Sequence, residues 1–151
     1  MGVRRAGSDD ALVVARMLWA FNTVFDTWVP SVEELARRFG TLLARDDVVV
    51  VVAEDPEPMG FALVTLRPSP YYDGPIATLD ELYAVPARRG EGVGTALVTL
   101  LLELLRERSC GEVQINVDEE DEGARRFYER HGFTNHEPGS AERMLCYIQD
   151  L

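Results

Sequence analysis

The stretch from Ala87 to Val98, ARRGEGVGTALV, sets two arginines before three glycines and leads directly into an apolar run. Glycine lets the backbone turn sharply and lets a ligand approach the chain closely. The first N–H groups of a helix have no intrahelical acceptor, and with the helix dipole they favour an anion, above all a phosphate. Arg88 and Arg89 can add charge-assisted contacts to the same group. The stretch therefore predicts a site for a phosphate-bearing ligand.

Two nucleotide-binding patterns fit this stretch poorly. A P-loop requires a lysine after its last glycine, and no lysine stands here. A Rossmann fingerprint ends in glycine or alanine, but that place holds Thr95 when the pattern starts at Gly90 and Leu97 when it starts at Gly92. Asp118 does follow the next predicted strand, where a ribose-binding acid would stand. A nucleotide-dependent enzyme is therefore a weaker alternative, as is a plain turn that binds nothing.

Strand and helix patterns surround this stretch in the order β-α-α-β-β-β-α-β-α-β-β. Ser8 is a suitable N-cap for the first helix, and Ser31 with Glu34 has capping-box spacing for the second. An α/β fold with one mixed sheet accounts for the order, as a single domain over residues 1–151. Hydrophobic periodicity predicts the later helices over 94–108 and from 118–122 to about 132, and strands over 3–7, 47–55, 59–67, 76–85, 112–117, 132–137 and 142–151.

Composition narrows the class of protein. With 151 residues and a hydrophobic fraction of 46%, the chain can build a core without metals or disulfides. Cys110 and Cys146 show no CxxC spacing, which suits a reducing compartment. The formal charge of −11 argues against nucleic acid as a partner and favours a cationic small molecule or a basic peptide. No run has the length of a membrane span or the pattern of a secretory signal, so we expect no membrane association and a cytoplasmic location.

Two motifs make the second half of the chain resemble a known family. Residues 79–98, LDELYAVPARRGEGVGTALV, resemble the cofactor-binding motif of the GNAT superfamily, the acetyl-CoA-dependent N-acetyltransferases. The family's loop follows [R/Q]-x-x-G-x-[G/A], and a second motif follows A-x-x-[FL]-Y-x-x-x-G-F. The matching positions are Arg89, Gly92 and Gly94 in the loop, and Ala124, Phe127, Tyr128, Gly132 and Phe133 in the second motif.

The resemblance implies a fold and a cofactor. The fold is a mixed, mostly antiparallel central sheet with splayed middle strands and about four helices, and the cofactor is acetyl-CoA, which leaves as CoA. A backbone N–H near Val85 would polarise the thioester carbonyl. Many relatives carry asparagine where Asp121 stands, and Asn116 would compensate for the amide that is missing there. The implied cofactor-binding residues are Tyr83, Ala84, Val85, Arg88, Arg89, Gly90, Glu91, Gly92, Val93, Gly94, Thr95, Asn116 and Asp121.

The resemblance also implies a reaction, the acetylation of a primary amine by direct attack in a ternary complex. Tyr128 is the predicted general acid for the departing thiolate. Glu81 is the predicted base, with Asp80 or a water as alternatives. Regular alternation along the strand would place Glu81 on the same face as Leu79 and Tyr83.

The identity of the acetyl acceptor is what the sequence determines least. A small molecule or a peptide that carries an amine is expected, because aromatic and acidic side chains suit a cation. The isolated histidines predict no metal site. Many relatives form homodimers, although nothing in this sequence demonstrates one, and a non-catalytic acetyl-CoA-binding module is the alternative function. The candidate acceptor-binding residues are Asn22, Phe25, Trp28, Tyr71, Tyr72 and Asp73.

Overall fold

The computed structural model describes all 151 residues and divides them into two compact units, Met1–Gln114 and Ile115–Leu151. None of the helices combines the length and the apolar character that crossing a membrane requires. That residues 1–151 form a single domain stays a prediction. The first unit contains β1 (Gly2–Arg5), α1 (Ala11–Val24), α2 (Val32–Leu43), β2 (Val48–Glu54), β3 (Pro58–Arg67), β4 (Ile76–Ala84), α3 (Val93–Glu107) and β5 (Glu112–Gln114), and the second contains α4 (Glu122–Arg130).

The five strands form one sheet in the order β1-β2-β3-β4-β5. All neighbours are antiparallel except β4 and β5, which run parallel. The β-branched run Val48–Val52 is buried along its whole length, as expected for a strand that is covered on both faces. This arrangement confirms the predicted mixed, mostly antiparallel sheet with four helices.

Helices cover the two faces of the sheet in the first unit. α1 and α2 pack over one core that includes Phe39, Phe61 and Tyr83. Leu97 and Leu101 of α3 are likewise fully buried. The side chain of Ser31 accepts a hydrogen bond from the N–H of Glu34, which confirms the cap predicted for α2. Each helix thus packs on the sheet and holds the strand side chains that it covers in place.

The middle strands separate after a short stretch of pairing. β4 pairs with β5 only from Ile76 to Thr78, because β5 ends at Gln114. The remainder of β4, up to Ala84, has no partner in β5. The predicted splayed strands are therefore confirmed, and they leave an open backbone edge on β4.

Three sequence-based boundaries are wrong. β5 was expected to reach Val117 but ends at Gln114, and the first helix begins at Ala11 because a 3₁₀ turn precedes it. The closing pair of strands over 132–137 and 142–151 is reduced to one bridge between His136 and Arg143. Apolar alternation shows which side chains can be buried together, but a strand also requires a neighbouring backbone edge, which local sequence does not specify.

Candidate functional site

The turn into α3 is shaped by two glycines in the left-handed conformation. Gly90 has a φ of 85° and Gly92 a φ of 84°, and an added Cβ at either position would meet no atom within 4 Å. The first backbone hydrogen bond of the helix runs from the N–H of Ala96 to the carbonyl of Gly92 at 2.9 Å. The N–H groups of Val93, Gly94 and Thr95 therefore lack intrahelical acceptors. An anion can be held there.

A third glycine, on β3, determines how closely α3 approaches the sheet. A Cβ on Gly60 would lie 2.6 Å from the carbonyl oxygen of Tyr83 and 2.8 Å from Cγ1 of Val93. The first turn of α3 thus rests directly on β3, next to the end of β4. Sequence reasoning missed this role, although a glycine inside a strand pattern is a known signal of close backbone approach.

The two arginines before the turn have different partners. Arg88 forms ion pairs with Asp55 at 3.3 Å and with Glu91 at 2.6 Å. Arg89 forms no ion pair, and its Nε donates to the carbonyl of Ala84 at 3.4 Å. Arg89 is therefore the cation that can contact an anion at the turn without first losing a carboxylate.

At the end of β4, the backbone groups of Ala84 point to the open edge, whereas those of Tyr83 and Val85 point to β3. The N–H of Val85 donates to the carbonyl of Met59 at 2.9 Å, so the free amide predicted near Val85 is not that of Val85 itself. Neighbouring residues of an antiparallel strand direct their N–H and C=O groups to opposite sides. Ala84 therefore faces the open edge, as its contact with Arg89 also indicates, whereas Tyr83 and Val85 face β3.

An irregularity in β4 removes Leu79 from the face that Glu81 and Tyr83 share, as the sequence predicts for those two residues. Leu63 of β3 lies opposite Glu81 and the next residue, Val64, lies opposite Leu79, so Asp80 is an extra residue in the ladder. Because Leu63 and Val64 point to opposite faces, Glu81 and Leu79 do as well, contrary to the alternation inferred from the sequence. β-bulges of this kind redirect side chains next to active sites.

The bulge also places two carboxyl groups near each other. Asp80 is exposed and accepts a hydrogen bond from the hydroxyl of Thr65 at 2.7 Å. Glu81 is half-buried, and burial together with the charge of Asp80 raises the pKa of Glu81. A carboxyl group with a raised pKa is suited to accept and release a proton.

The end of α1 lies close to this part of β4. The ring of Phe21 is 5.2 Å from that of Tyr83 and 5.1 Å from that of Phe25. Trp28 is exposed in the loop that follows α1. The side-chain amide of Asn22 instead donates to the carbonyl of Leu18 at 2.9 Å, within the helix.

The other candidates for acceptor binding lie elsewhere. Tyr72 and Asp73 line a cleft of about 380 Å³ together with Asp46 and Asp47, beyond the start of β4. This cleft is separated from Tyr83 by most of the length of β4, about 23 Å at the usual rise of a strand. Tyr72 also packs on Gly111, where an added Cβ would lie 2.3 Å from its ring. The structure therefore does not bring this group, which includes the exposed Tyr71, together with Phe25 and Trp28.

The second unit carries the remaining predicted residues. The carboxylate of Asp121 accepts a hydrogen bond from the N–H of Ala124 at 2.9 Å and caps α4. Tyr128 is buried on α4, and its ring lies 5.2 Å from Phe127 and 5.5 Å from Phe133. Asn116 is exposed. The acidic residue in place of the family's asparagine thus has a structural contact of its own.

Comparisons with known proteins agree with the two motifs. The model of the acetyltransferase (GNAT) family matches residues 14–133. An uncharacterized N-acetyltransferase of Archaeoglobus fulgidus is 31% identical over 144 residues, which cover 93% of this chain and 98% of the relative. The crystal structure of a candidate acetyltransferase from Arthrobacter sp. FB24 is 49% identical with a TM-score of 0.94, over 100% of this chain and 96% of the other.

A further relative is matched in part. The aminoglycoside N(6')-acetyltransferase type 1 of Klebsiella aerogenes is 42% identical over 67 residues, which cover 43% of this chain. That match spans less than half of the relative, 44% of its length.

Proposed function

The chain belongs to the GNAT family of acetyltransferases, and we propose that it transfers an acetyl group from acetyl-CoA to a primary amine of a small molecule or peptide. The observation that carries the proposal is the meeting of three features in the first unit: the open turn into α3, the open edge of β4 and the half-buried Glu81. An anion-binding turn alone would suit many ligands. The adjacent backbone edge and a carboxyl group with a raised pKa suit an elongated acyl donor and an amine.

The residues at the turn fit the diphosphate of acetyl-CoA. The N–H groups of Val93, Gly94 and Thr95 would donate to phosphate oxygens, and Arg89 would supply a positive charge. Any side chain at Gly92 would enter the space that the phosphates need. When bound, acetyl-CoA supplies the activated acyl group. The open edge of β4 would pair with its amide-containing arm, and the N–H of Ala84, next to Val85, is the proposed donor to the reacting carbonyl.

Acid and base roles follow from proton balance. The amine nitrogen forms a bond to the acyl carbon while the carbon–sulfur bond breaks, so the nitrogen loses a proton and the sulfur gains one. Glu81, ionised, takes the proton of the amine, directly or through water. Tyr128 is our proposed donor of the proton to sulfur, on the ground of its place in the second motif.

We favour a cationic amine as the acceptor. The exposed ring of Phe25 reaches Tyr83 of β4 through Phe21, and the exposed Trp28 follows in the loop after α1. Aromatic faces attract cations. The net charge of −11 favours the same class of ligand. The partial match to an aminoglycoside acetyltransferase is consistent with this choice, since aminoglycosides carry several amino groups. Tyr71, Tyr72 and Asp73 are the weaker candidates, because their cleft lies at the other end of β4.

The proposal is tested by measuring the release of free CoA with a panel of amines, for the wild type and for Glu81→Gln and Tyr128→Phe. We expect turnover with at least one polyamine or aminoglycoside, and in both variants a loss of turnover that exceeds the loss of acetyl-CoA affinity. Tight binding of acetyl-CoA without turnover on any amine would instead favour a regulatory module. Equal losses in turnover and binding for Tyr128→Phe would mean that this tyrosine mainly packs.

A further inference from the structure

Tyr83 of β4 is buried except for its polar end. The residue as a whole is only 4% exposed. Its hydroxyl forms no hydrogen bond with another residue, whereas every buried side-chain oxygen and nitrogen of the chain has a partner. The small exposed fraction of Tyr83 therefore includes its hydroxyl. Since the O–H of a buried tyrosine usually has a hydrogen-bond partner, this one is placed to bind a ligand from outside.

Aromatic packing fixes the position of this hydroxyl. The ring of Phe21 lies 5.2 Å from the ring of Tyr83, and the ring of Phe61 lies 6.1 Å from it. Phe61 and Tyr83 belong to the core under α1 and α2, and Phe21 packs against that core. A side chain that is already held in place loses little conformational freedom when it binds a ligand, so the hydroxyl is a preorganised contact.

The charges around Tyr83 indicate which group its hydroxyl would bind. Burial raises the pKa of the hydroxyl, and the positive charge of Arg89 offsets part of this rise. The hydroxyl is thus protonated at neutral pH and can donate a hydrogen bond. Because Arg89 forms no ion pair, its charge disfavours an ammonium group beside Tyr83 and favours an oxygen atom. Glu81 lies on the same face of β4, two residues or about 7 Å along the strand.

We propose that Tyr83 is a further acceptor-binding residue, whose hydroxyl donates to a hydroxyl, ether or carbonyl oxygen of the acceptor while the reacting amine lies at Glu81. The inference rests on the proposed function, because it takes Glu81 as the base. It narrows the acceptor class to amines that carry an oxygen several bonds away from the nitrogen. An alkyl amine of the same length cannot form this hydrogen bond and should bind more weakly.

A matched pair of amines tests this preference. Diglycolamine and hexylamine have the same chain length, but only diglycolamine carries an ether and a hydroxyl oxygen. Binding of each amine to the protein saturated with CoA is followed by NMR chemical shifts, which requires no turnover. Tyr83→Phe keeps the packing on Phe21 and Phe61 but removes the donor. It should weaken the binding of diglycolamine about 3- to 10-fold, as expected for one lost hydrogen bond, and change that of hexylamine less than about twofold.

Tyr147→Phe is the matched control, because it removes the same hydroxyl from a side chain that is 88% exposed. The control should change the affinity for neither amine. Equal weakening of both amines by Tyr83→Phe, weakening of neither, or a wild type that binds neither would overturn the inference. A loss of acetyl-CoA affinity in Tyr83→Phe would assign the hydroxyl to the cofactor and would overturn it as well.

The release of CoA separates this inference from the proposed function. Where diglycolamine is turned over, Tyr83→Phe should raise its KM and leave kcat unchanged, since the hydroxyl transfers no proton. A binding preference without turnover of any amine would refute the proposed function and leave the oxygen-binding role of Tyr83 in place. Turnover of amines without the preference would leave the proposed function in place and refute the inference.

Discussion

At the scale of single residues, the bulge in β4 sets the surroundings of Glu81, the proposed base. It inserts Asp80 into the ladder and places Glu81 on the face that carries Leu63, under α1 and α2. Glu81 thereby loses part of its contact with water while a second carboxylate stands nearby. Both effects penalise the ionised form, so the pKa of Glu81 lies above its ordinary value of 4.5.

This environment predicts a dependence of the rate on pH. A base must be ionised, so kcat/KM should fall as the pH falls through the raised pKa of Glu81. Asp80→Asn removes the neighbouring charge and should move this fall to lower pH. Thr65→Val removes the hydrogen bond to Asp80 but keeps the charge, so the fall should not move to lower pH. A pH–rate profile that Asp80→Asn leaves unchanged would exclude the like-charge contribution.

The same raised pKa affects stability. Between pH 4.5 and the raised value, the folded chain binds more protons at Glu81 than the unfolded chain does. The free energy of unfolding should therefore decrease as the pH rises through this interval. Urea unfolding at several pH values should show that contribution in the wild type and its absence in Glu81→Gln. A contribution that persists in the variant would assign the slope to another group.

At the scale of elements, the anion-binding turn depends on the contact of α3 with β3. Gly60 allows Val93 and Leu97 to approach the strand, and this contact sets where the first N–H groups of α3 point. The turn itself needs residues with positive φ, a conformation that glycine adopts without strain. Gly60 thus sets the position of the turn, whereas Gly90 and Gly92 provide its backbone conformation.

Gly60→Val should displace the start of α3. The added atoms would collide with the Tyr83 carbonyl and with Val93, so we expect a loss of about 1–3 kcal/mol in the free energy of unfolding. We also expect weaker acetyl-CoA binding in the fraction that remains folded. Gly40→Ala is the control, because a Cβ there meets nothing within 4 Å. In the middle of α2 it should stabilise the protein by about 0.5–1 kcal/mol. Unchanged stability and binding in Gly60→Val would show that the contact is not needed.

Gly92→Glu should abolish acetyl-CoA binding, because its side chain brings bulk and negative charge to the turn. The matched control is Gly139→Glu, since Gly139 has a similar φ of 79° and open space around it. Both substitutions impose a comparable backbone strain, so a difference in acetyl-CoA affinity isolates the role of the turn. Isothermal titration measures it. Wild-type affinity in folded Gly92→Glu would remove the turn from the cofactor site.

At the scale of the whole molecule, the charge of −11 produces a field that attracts cations and repels anions. Exposed acidic residues are spread over the chain, and many arginine side chains form surface ion pairs with them. Such pairs contribute little to stability. The excess of negative charge therefore matters more for the encounter with ligands than for the fold.

A dependence on salt follows from this field. Raising the ionic strength from about 0.01 M to 0.15 M shortens the Debye length from about 30 Å to about 8 Å. The KM of a polyamine acceptor should rise as a result, because the long-range attraction is screened. The KM of acetyl-CoA, an anion, serves as the internal control and should stay constant or fall. Steady-state kinetics that show a parallel rise in both values would indicate a nonspecific effect of salt.

Local patterns were sufficient to predict most of the helices and strands, whereas the predicted cofactor site stays a prediction. The glycines before α3, the Ser31 cap and the β-branched run of β2 act through the conformation of a few neighbouring residues, which can be inferred from the sequence. The family motifs then identified the cofactor. The same reasoning failed at the C-terminus, because a strand also requires a neighbouring backbone edge, which local sequence does not specify.

The sequence by itself thus determined the element order from β1 to α4, the glycine turn into α3 and the residue types of the proposed site. Only the tertiary structure decided which groups are available to react. Pairing with β3 occupied the amide of Val85 and left Ala84 at the open edge. The register between β3 and β4 placed Leu79 on the face opposite Glu81, and packing brought Phe21 of α1 against Tyr83. The physical reason is that hydrogen-bond partners, burial and pKa values depend on contacts between residues distant in the chain, which no local pattern specifies.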